Sequence, residues 1–289
     1  MGPDRSVETL PGSTLEKLVD EEQPTELEQG QSGRRRRMGE AMTAVAVFVV
    51  MMALWYFASK DASPLVFPGP DRVWGELVGI ATSGFLVTNG LPTLQEIILG
   101  FVLGSILGIG CGTILAASPL IHRIANPYLV ASQAMPKIAL APMLVMWFGY
   151  GLASKVVIAA LIAFFPLLEN TVVGLRHVPA AELRLFESLS ASEWQTYRKL
   201  RFPNAMPYIF AGLRVAMLFA TVGAVVGEYI GANVGLGAGV IVAFGTLNTP
   251  LVMAILVVLT VMGIVLYQAV VYAELLFQHP RGGGGGPET

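Results

Sequence analysis

The sequence predicts an all-α polytopic membrane protein, and composition, the length of apolar runs and the distribution of cations all support this class. Hydrophobic residues make up 54% of the 289 residues and charged residues only 13%, whereas soluble domains usually carry about 25% charge. A helix needs about 20 mostly apolar residues to cross a hydrocarbon core about 30 Å thick. Because several windows have this length, a bundle of membrane-spanning helices is expected.

Six apolar windows are long enough to be membrane spans. They cover residues 41–58, 97–117, 128–148, 153–173, 207–230 and 251–272. Arg34 to Arg37 precede the first window, a pattern that signal peptides also show. Since that window is 18 residues long and further spans follow it, an uncleaved first span is favoured over cleavage. The lipid bilayer is therefore the first expected partner.

Polar ends flank the predicted membrane domain, which covers residues 38–278. Residues 1–37 are acidic and then basic, with few aromatic or β-branched residues, and this composition predicts a disordered cytoplasmic tail. Residues 279–289, HPRGGGGGPET, form a second tail that is expected to be flexible.

The cations predict the orientation, because short cytoplasmic loops are enriched in Lys and Arg. With the N-terminus inside, the cytoplasmic segments hold the larger set: Arg34 to Arg37, Arg123, Arg176, Arg184, Arg198, Lys199, Arg201 and Arg281. The opposite side holds Lys60, Arg72 and Lys155. Both termini are therefore predicted to be cytoplasmic, and so is the polar segment between the fourth and fifth spans.

Two smaller patterns concern helix packing. Between the first two spans, Pro70 to Ile80 has helical spacing with one apolar face, which is typical of a helix lying on the outer membrane surface. In the second span, glycines recur every fourth residue and form a smooth face for close helix packing; they are Gly100, Gly104, Gly108 and Gly112. Packing within the chain is favoured for this face, and a contact with another subunit is the alternative.

The sequence lacks motifs for chemistry. No phosphate-binding loop of the G-x-x-x-x-G-K-[ST] type occurs, and no His or carboxylate residues cluster at metal-ligand spacing. The single cysteine, Cys111, excludes an intramolecular disulfide. Gly235, Gly237 and Gly239 resemble a dinucleotide turn, but they follow a membrane helix, so flexible loop glycines are favoured. The chain is predicted not to be an enzyme, with no catalytic residue, no metal or cofactor of its own and no nucleic acid partner.

The cytoplasmic segment 176–206 has the pattern of two short helices separated by a break. Pro179 suits a first helical position, Ser192 and Gln195 form a predicted capping box for the second helix, and Pro203 is expected to end it. The second helix carries an apolar stripe, Ala191, Trp194, Tyr197 and Leu200. Two interpretations stay open: the pair lies on its own membrane, or it docks into a groove of a separate cytoplasmic protein.

Residues 184–213, RLFESLSASEWQTYRKLRFPNAMPYIFAGL, resemble the EAA loop of binding-protein-dependent ABC importer permeases. Ser190 stands at the glycine position of that motif, and Pro203 and Pro207 match its prolines. The Glu-Ala-Ala positions are occupied by Arg-Leu-Phe, so the motif is degenerate at its start.

The resemblance extends over about residues 64–275 and includes AMPKIALAPMLVMWFGYGLASK in the third span and GAVVGEYIGANVGLG after the fifth. It is similar to the nitrate, sulfonate and taurine branch, and within that branch to permeases for thiamine-pyrimidine precursors or riboflavin. The implied substrate is a small organic or anionic solute, and the implied location is the bacterial inner membrane.

The resemblance also implies a type I ABC importer permease fold and a division of labour. Two permease copies, expected to be identical, form the path; two cytoplasmic ATPases, which hold ATP and Mg, bind the coupling helices; an extracytoplasmic binding protein delivers the substrate. The residues that the resemblance assigns to ATPase coupling are Leu189, Ser190, Ala191, Ser192, Glu193, Trp194 and Pro203.

Ionisable residues inside spans cost about 2.5–3.5 kcal/mol on insertion scales, so each needs a partner or a watery cavity. Lys137 lies about 13 Å and Glu169 about 6 Å from the cytoplasmic ends of their predicted spans by helical rise. Two long side chains can bridge this difference if the helices are neighbours, and a structural ion pair between them is favoured. In the alternative, Lys137 and Gln133 face the substrate path. Glu228, next to Tyr229 near the outer end of the fifth span, either faces the path or bonds the following loop.

Two other functional classes fit the same spans and buried charges. A self-contained secondary transporter or channel is the first alternative, although the two halves show no convincing inverted repeat of the kind common in such proteins. A membrane scaffold without transport is the second. Neighbouring genes for an ATPase and a secreted binding protein would separate these classes.

Overall fold

The computed structural model describes residues 26–63 and 65–278, and the regular elements in these ranges are helices. The chain divides into two compact units, residues 1–61 and 62–289. In chain order the α-helices are α1 (Glu26–Lys60), α2 (Pro70–Thr82), α3 (Leu91–Ala117), α4 (Pro119–Ala134), α5 (Ala141–Phe148), α6 (Leu152–Arg176), α7 (Ala180–Ser188), α8 (Glu193–Thr196), α9 (Phe202–Gly231), α10 (Leu236–Gly245) and α11 (Thr249–Gln278). The predicted all-α class is confirmed.

Helix α1 makes up the described part of the first unit. Its apolar part, Met42–Lys60, is long enough to cross a membrane and buries none of its side chains. The helix begins at Glu26, within the segment predicted to be disordered, because that stretch is rich in the strong helix formers Glu, Gln, Arg and Met. Residues 1–25 and the predicted C-terminal tail 279–289 lie outside the described residues.

The core of the second unit consists of α3, α6 and α9. Helix α6 packs against both of the others, and half of its most apolar window is buried. Ala159 of α6 shows how close these contacts are: a methyl group added at Gly100 of α3 would overlap its side chain, and one added at Gly223 of α9 would lie 2.6 Å from its Cα. Helix α11 packs on α9, α10 and α2 around this core.

The glycine stripe of α3 lies against α6. A methyl group would lie 2.7 Å from the Ala160 carbonyl oxygen if added at Gly104, and 2.9 Å from the Phe164 carbonyl oxygen if added at Gly108. At Gly112 it would lie 2.7 Å from a side-chain carbon of α6. The four glycines therefore allow the two helix backbones to approach each other within one chain.

Within residues 26–63 and 65–278, five helices are long and apolar enough to cross a membrane, and one bent pair could form a sixth span. This pair consists of α4 and the stretch Lys137–Phe148, which meet at 81°. The predicted span over residues 128–148 falls within this pair and is broken at residues 135–136. Met135 has an extended backbone (φ −74°, ψ 130°), because the ring of the following Pro136 disfavours the helical conformation at the residue before it.

The fifth span starts earlier than predicted, because Pro203 does not end the second coupling helix. Helix α8, a π-helical turn (Tyr197–Arg201) and α9 together form one span, Glu193–Gly231. In the wide turn the Phe202 N–H donates to the Tyr197 carbonyl, five residues earlier. Such a turn accommodates a proline, which has no N–H and would clash with the preceding turn of a regular helix.

Two short helices flank the membrane core at the end opposite to α7. Helix α2 matches the predicted surface helix and packs on α11 through its buried residues Val73 and Ile80. Its Trp74 is 67% exposed. Helix α10 was not expected from the sequence, because its ten residues are too few for a span and follow a glycine-rich stretch.

Candidate functional site: the coupling segment and the buried charge cluster

The break between α7 and α8 has a defined backbone conformation. Ser190 adopts a left-handed conformation (φ 50°). Its N–H donates to the Glu187 carbonyl over 3.0 Å, and the Ala191 N–H donates to the Phe186 carbonyl over 3.0 Å. These two bonds form a Schellman motif, in which the left-handed position is usually glycine. The glycine position of the EAA loop thus has the glycine-type conformation here, with a serine in it.

The capping box predicted for the second helix is present. The Gln195 N–H donates to Ser192 Oγ over 3.3 Å, and the Ser192 N–H donates to Gln195 Oε1 over 2.9 Å. The Schellman motif and the capping box are adjacent, so residues 190–192 set the direction in which α8 leaves α7.

The apolar stripe of the second helix divides into an outward and an inward part. Trp194 is 67% exposed, and its ring stacks on that of Tyr197 with centroids 5.6 Å apart. Leu200 is buried. Leu189 is also exposed, so the surface Leu189–Trp194 presents two large apolar side chains. Pro203 is half-buried and lies beyond this surface along the same span.

An open cavity lies beside the coupling segment. Its volume is about 780 Å³, and its lining combines the ends of α3 and α6 with the coupling segment; it includes Ala117, Leu175, Arg176, Trp194, Tyr197 and Arg201. The exposed surface and this cavity together can receive bulky side chains of another protein.

Ser190→Gly is expected to stabilise the coupling segment by about 1 kcal/mol. A left-handed conformation costs a residue with a Cβ about 1–2 kcal/mol, which glycine avoids, but glycine also loses more conformational entropy on folding, and this offsets part of the gain. Hydrogen exchange of residues 186–196 would then slow about fivefold. Ser188→Gly, inside α7, is the matched control and is expected to speed exchange, since glycine destabilises a helix. Faster exchange in both variants would contradict the assignment.

A second candidate site lies at the opposite end of the core, where α3 and α6 begin and α9 ends. We call it the charge cluster; it comprises Thr93, Glu96, Lys155 and Glu228. Lys155 Nζ lies 2.7 Å from Glu96 Oε1, and both side chains are buried. By position in the sequence Lys155 is an external cation, but the structure buries it in an ion pair. Glu96 lies one residue before the predicted span 97–117 and Lys155 is the third residue of the predicted span 153–173, so the sequence places both near the same membrane surface without requiring that they pair.

Glu228 completes the charge cluster and is 1% exposed. Its Oε1 accepts a hydrogen bond from Thr93 Oγ1 over 2.6 Å, and its Oε2 accepts one from the Gly237 N–H. Thr93 Oγ1 in turn accepts from the Leu236 N–H over 2.8 Å. Glu228 therefore bonds the residues that follow α9, which is the second of the two alternatives stated for it.

Gly235 is the last loop residue before α10, as predicted for a loop glycine, whereas Gly237 lies in the first turn of α10. Gly235 has a φ of 133°, and a methyl group there would overlap the Glu228 carboxylate. A methyl group at Gly237 would lie 2.7 Å from Glu228 Oε2. The two glycines begin α10 and leave the space that the Glu228 side chain occupies.

The structure does not join Lys137 and Glu169 in an ion pair. Lys137 Nζ lies 4.4 Å from the centre of the Phe165 ring, one turn before Glu169 on α6. Glu169 instead accepts a hydrogen bond from Gln133 Nε2 over 3.4 Å. Residues of the third predicted span thus do contact α6. Lys137, which follows the break, lies at Phe165, one turn before its predicted partner Glu169. The last path candidate, Tyr229, is partly exposed near the charge cluster.

A third charged contact joins α9 and α11. Arg214 forms an ion pair with Glu274. Arg214 Nε is buried and makes no further hydrogen bond within the described ranges.

Comparison with known proteins shows the family. Residues 100–275 match the model of the family described as the binding-protein-dependent transport system inner membrane component, and the chain belongs to this family. It is a multi-pass inner membrane protein with a type I ABC importer permease fold.

Curated relatives cover most of the chain. The riboflavin transport system permease protein RibX of Chloroflexus aurantiacus is 40% identical over 202 residues, 70% of this chain and 75% of its own. The formylaminopyrimidine transport permease protein ThiX of Halalkalibacterium halodurans is 33% identical over 81% of this chain and 94% of its own. The taurine transport system permease protein TauC of Escherichia coli is 29% identical over 77% of this chain and 84% of its own.

Solved structures share the fold. The methionine ABC transporter MetNI, in inward-facing conformations, matches 66% of this chain and 95% of its own with a TM-score of 0.58 and 19% identity. An amino acid ABC transporter matches 71% of this chain and 97% of its own with a TM-score of 0.54 and 16% identity.

Proposed function

We propose that this chain is the permease subunit of an ABC importer, that two copies form the translocation path, and that separate cytoplasmic ATPases drive it through the surface Leu189–Trp194. The observation that carries this proposal is the exposed, conformationally fixed coupling segment in a chain that belongs to the permease family. Under this proposal the coupling segment and both termini face the cytoplasm, and the charge cluster faces outside.

The continuity of the fifth span supports a mechanism for coupling. Trp194 and Glu228 lie on the same continuous span, Glu193–Gly231. With a rise of about 1.5 Å per residue, they are about 50 Å apart along that helix. A displacement that the ATPase imposes on Trp194 would therefore move the end of α9 at the charge cluster, where the external binding protein would deliver substrate.

For the substrate we propose a nitrogen heterocycle related to a flavin or a pyrimidine. The support is the names of relatives: those named for riboflavin and formylaminopyrimidine are 40% and 33% identical to this chain, and those named for taurine and nitrate are 29% and 25% identical. Proteoliposomes with the cognate ATPase and binding protein test this. ATP hydrolysis is expected to rise with riboflavin or formylaminopyrimidine and to stay basal with taurine; the reverse would contradict the substrate class and leave the permease role intact.

Trp194→Asp is expected to reduce ATPase co-purification at least tenfold, because a charge replaces the largest apolar side chain on the proposed docking surface, and such central aromatic anchors dominate interface energies. The measurement is the ATPase-to-permease ratio after affinity purification in detergent.

The matched control for this variant is Trp74→Asp. Trp74 has the same 67% exposure but lies on α2, at the opposite end of the core. Its substitution is expected to leave the ATPase ratio unchanged. Equal losses in both variants would indicate general destabilisation, and uptake that persists without any ATPase would favour the secondary transporter alternative.

A further inference from the structure

Two carboxyl groups meet inside the charge cluster without a visible donor between them. Thr93 and Glu96 lie about one turn apart on α3, Thr93 Oγ1 is 2.6 Å from Glu228 Oε1, and both glutamates are 1% exposed. Glu96 Oε2 is buried and has no hydrogen-bond partner among the described residues. Because carboxylate oxygens only accept hydrogen bonds, a bond between these groups requires a proton on one of them.

The charge balance of the cluster leads to the same requirement. Lys155 contributes one positive charge, and two ionised carboxylates would leave one uncompensated negative charge in a buried site. Burying such a charge is costly unless it is paired. The part of the chain that the structure describes holds no group of three or more His, Cys, Asp or Glu residues suited to a metal. One proton makes the cluster neutral.

The hydrogen bonds favour Glu96 as the carboxyl group that holds that proton. Both oxygens of Glu228 already accept hydrogen bonds, one from Thr93 and one from the backbone N–H of Gly237 in the first turn of α10. A helix N-terminus favours negative charge, so Glu228 is the ionised member. Glu96 Oε1 accepts from Lys155, which leaves Glu96 Oε2 as the oxygen that can carry a proton.

We propose that Glu96 and Glu228 bind one proton between them, carried on Glu96 Oε2 and donated to Glu228, and that this proton holds the outer ends of α3, α6, α9 and α10 together. The proton bridges Glu96 of α3 and Glu228 of α9. Lys155 of α6 balances the remaining charge, and Glu228 holds the start of α10 through Gly237.

The proposal predicts that raising the pH loosens this end of the protein. Among the described residues, the charged and titratable groups that act on Glu96 and Glu228 are Lys155 from α6 and Tyr229 from α9. Once the proton leaves, the single positive charge of Lys155 faces two carboxylates. In the unfolded chain both glutamates are solvated and ionised near neutral pH, so the folded state binds one proton more. Stability must then fall as pH rises, because stability falls with pH wherever the folded state binds more protons.

Infrared spectroscopy of the wild-type protein in detergent tests the proton directly. A buried protonated carboxyl group gives a C=O stretch distinct from that of carboxylates, and it shifts in D2O. We expect this band at pH 7 in the wild type and its loss in Glu96→Gln. Absence of the band from the wild type would overturn the proposal without reference to any variant. A band retained in Glu96→Gln but lost in Glu228→Gln would overturn the assignment to Glu96.

Thermal unfolding between pH 6 and pH 9 gives the second test. The wild type is expected to lose several degrees of Tm across this range. Glu96→Gln supplies a neutral donor to Glu228 at every pH, so its Tm is expected to lose most of this dependence. Glu187→Gln, at an exposed glutamate on α7, is the control and keeps the wild-type slope. Equal slopes in the wild type and Glu96→Gln would contradict a proton bound at this site, and neither readout depends on the proposed transport function.

Discussion

Lys155→Met is expected to remove most of the folded protein, whereas Lys155→Met combined with Glu96→Leu is expected to restore much of it. The single variant leaves Glu96 and Glu228 buried together without the cation that balances them. Removing one partner of a buried ion pair costs about 3–5 kcal/mol. This loss is comparable with the whole stability of a marginal protein, which is about 5–15 kcal/mol.

The double variant is expected to recover stability because it removes both the unpaired carboxyl group and the empty cation site. Replacing a buried ion pair with apolar residues of similar volume is often neutral or stabilising. Glu228 keeps its hydrogen bond from the Gly237 N–H in this variant. Because no cation is left to balance its charge, Glu228 is expected to take up a proton and to donate it to Thr93 Oγ1, which leaves the site neutral.

Fluorescence-detected size exclusion and thermal unfolding in detergent measure this prediction. Arg72→Met is the control, because Arg72 is an exposed cation on α2 at the same end of the core. Its substitution is expected to leave Tm unchanged within the scatter between preparations. If Lys155→Met were as stable as Arg72→Met, or if adding Glu96→Leu made it worse, the ion pair would not be the contact that stabilises this end.

Local patterns in the sequence predicted the coupling segment well. The break at residues 190–192 and the capping box of Ser192 with Gln195 depend on interactions within about four residues of the chain. Such interactions can be predicted from a short stretch of sequence, because all the participating residues lie within it. The effect of Pro203 was not predictable in this way, because it depends on whether the preceding turn widens into a π-helical turn, and such turns are rare.

Contacts between helices were harder to predict than the helices themselves. Hydropathy gives the depth of a charged residue in the membrane, but not which neighbouring helix it faces. Lys137 has a carboxylate on the next predicted span, yet the bend before it turns its side chain to Phe165. Lys155 and Glu96 lie at the predicted ends of their spans, where water could solvate them, so nothing in the sequence alone required a pair. Only the parallel packing of α3 on α6 brings them together.

The glycine stripe is the exception among helix contacts, because small residues at a fixed spacing predict a close approach without identifying the partner. The structure shows that the partner is α6. It therefore also shows, for each glycine, how close an added side chain would come to α6. Gly104 and Gly110 lie on the same helix, and they differ in what a side chain would meet. A methyl group at Gly104 would lie 2.7 Å from the Ala160 carbonyl oxygen, whereas one at Gly110 has nothing within 4 Å.

Gly104→Val is therefore expected to abolish folded protein, and Gly110→Val to leave it nearly unchanged. Overpacking costs about 1–3 kcal/mol when side chains can move and more when they cannot; here the obstacle is backbone, so α3 would have to separate from α6 along the stripe. The intrinsic cost of valine in a helix is the same at both positions and cancels in the comparison. The measurement is the yield of monodisperse protein and its Tm, with Gly104→Ala expected in between. Equal losses at Gly104 and Gly110 would show that helix propensity, and not the approach of α3 to α6, makes glycine necessary in this span.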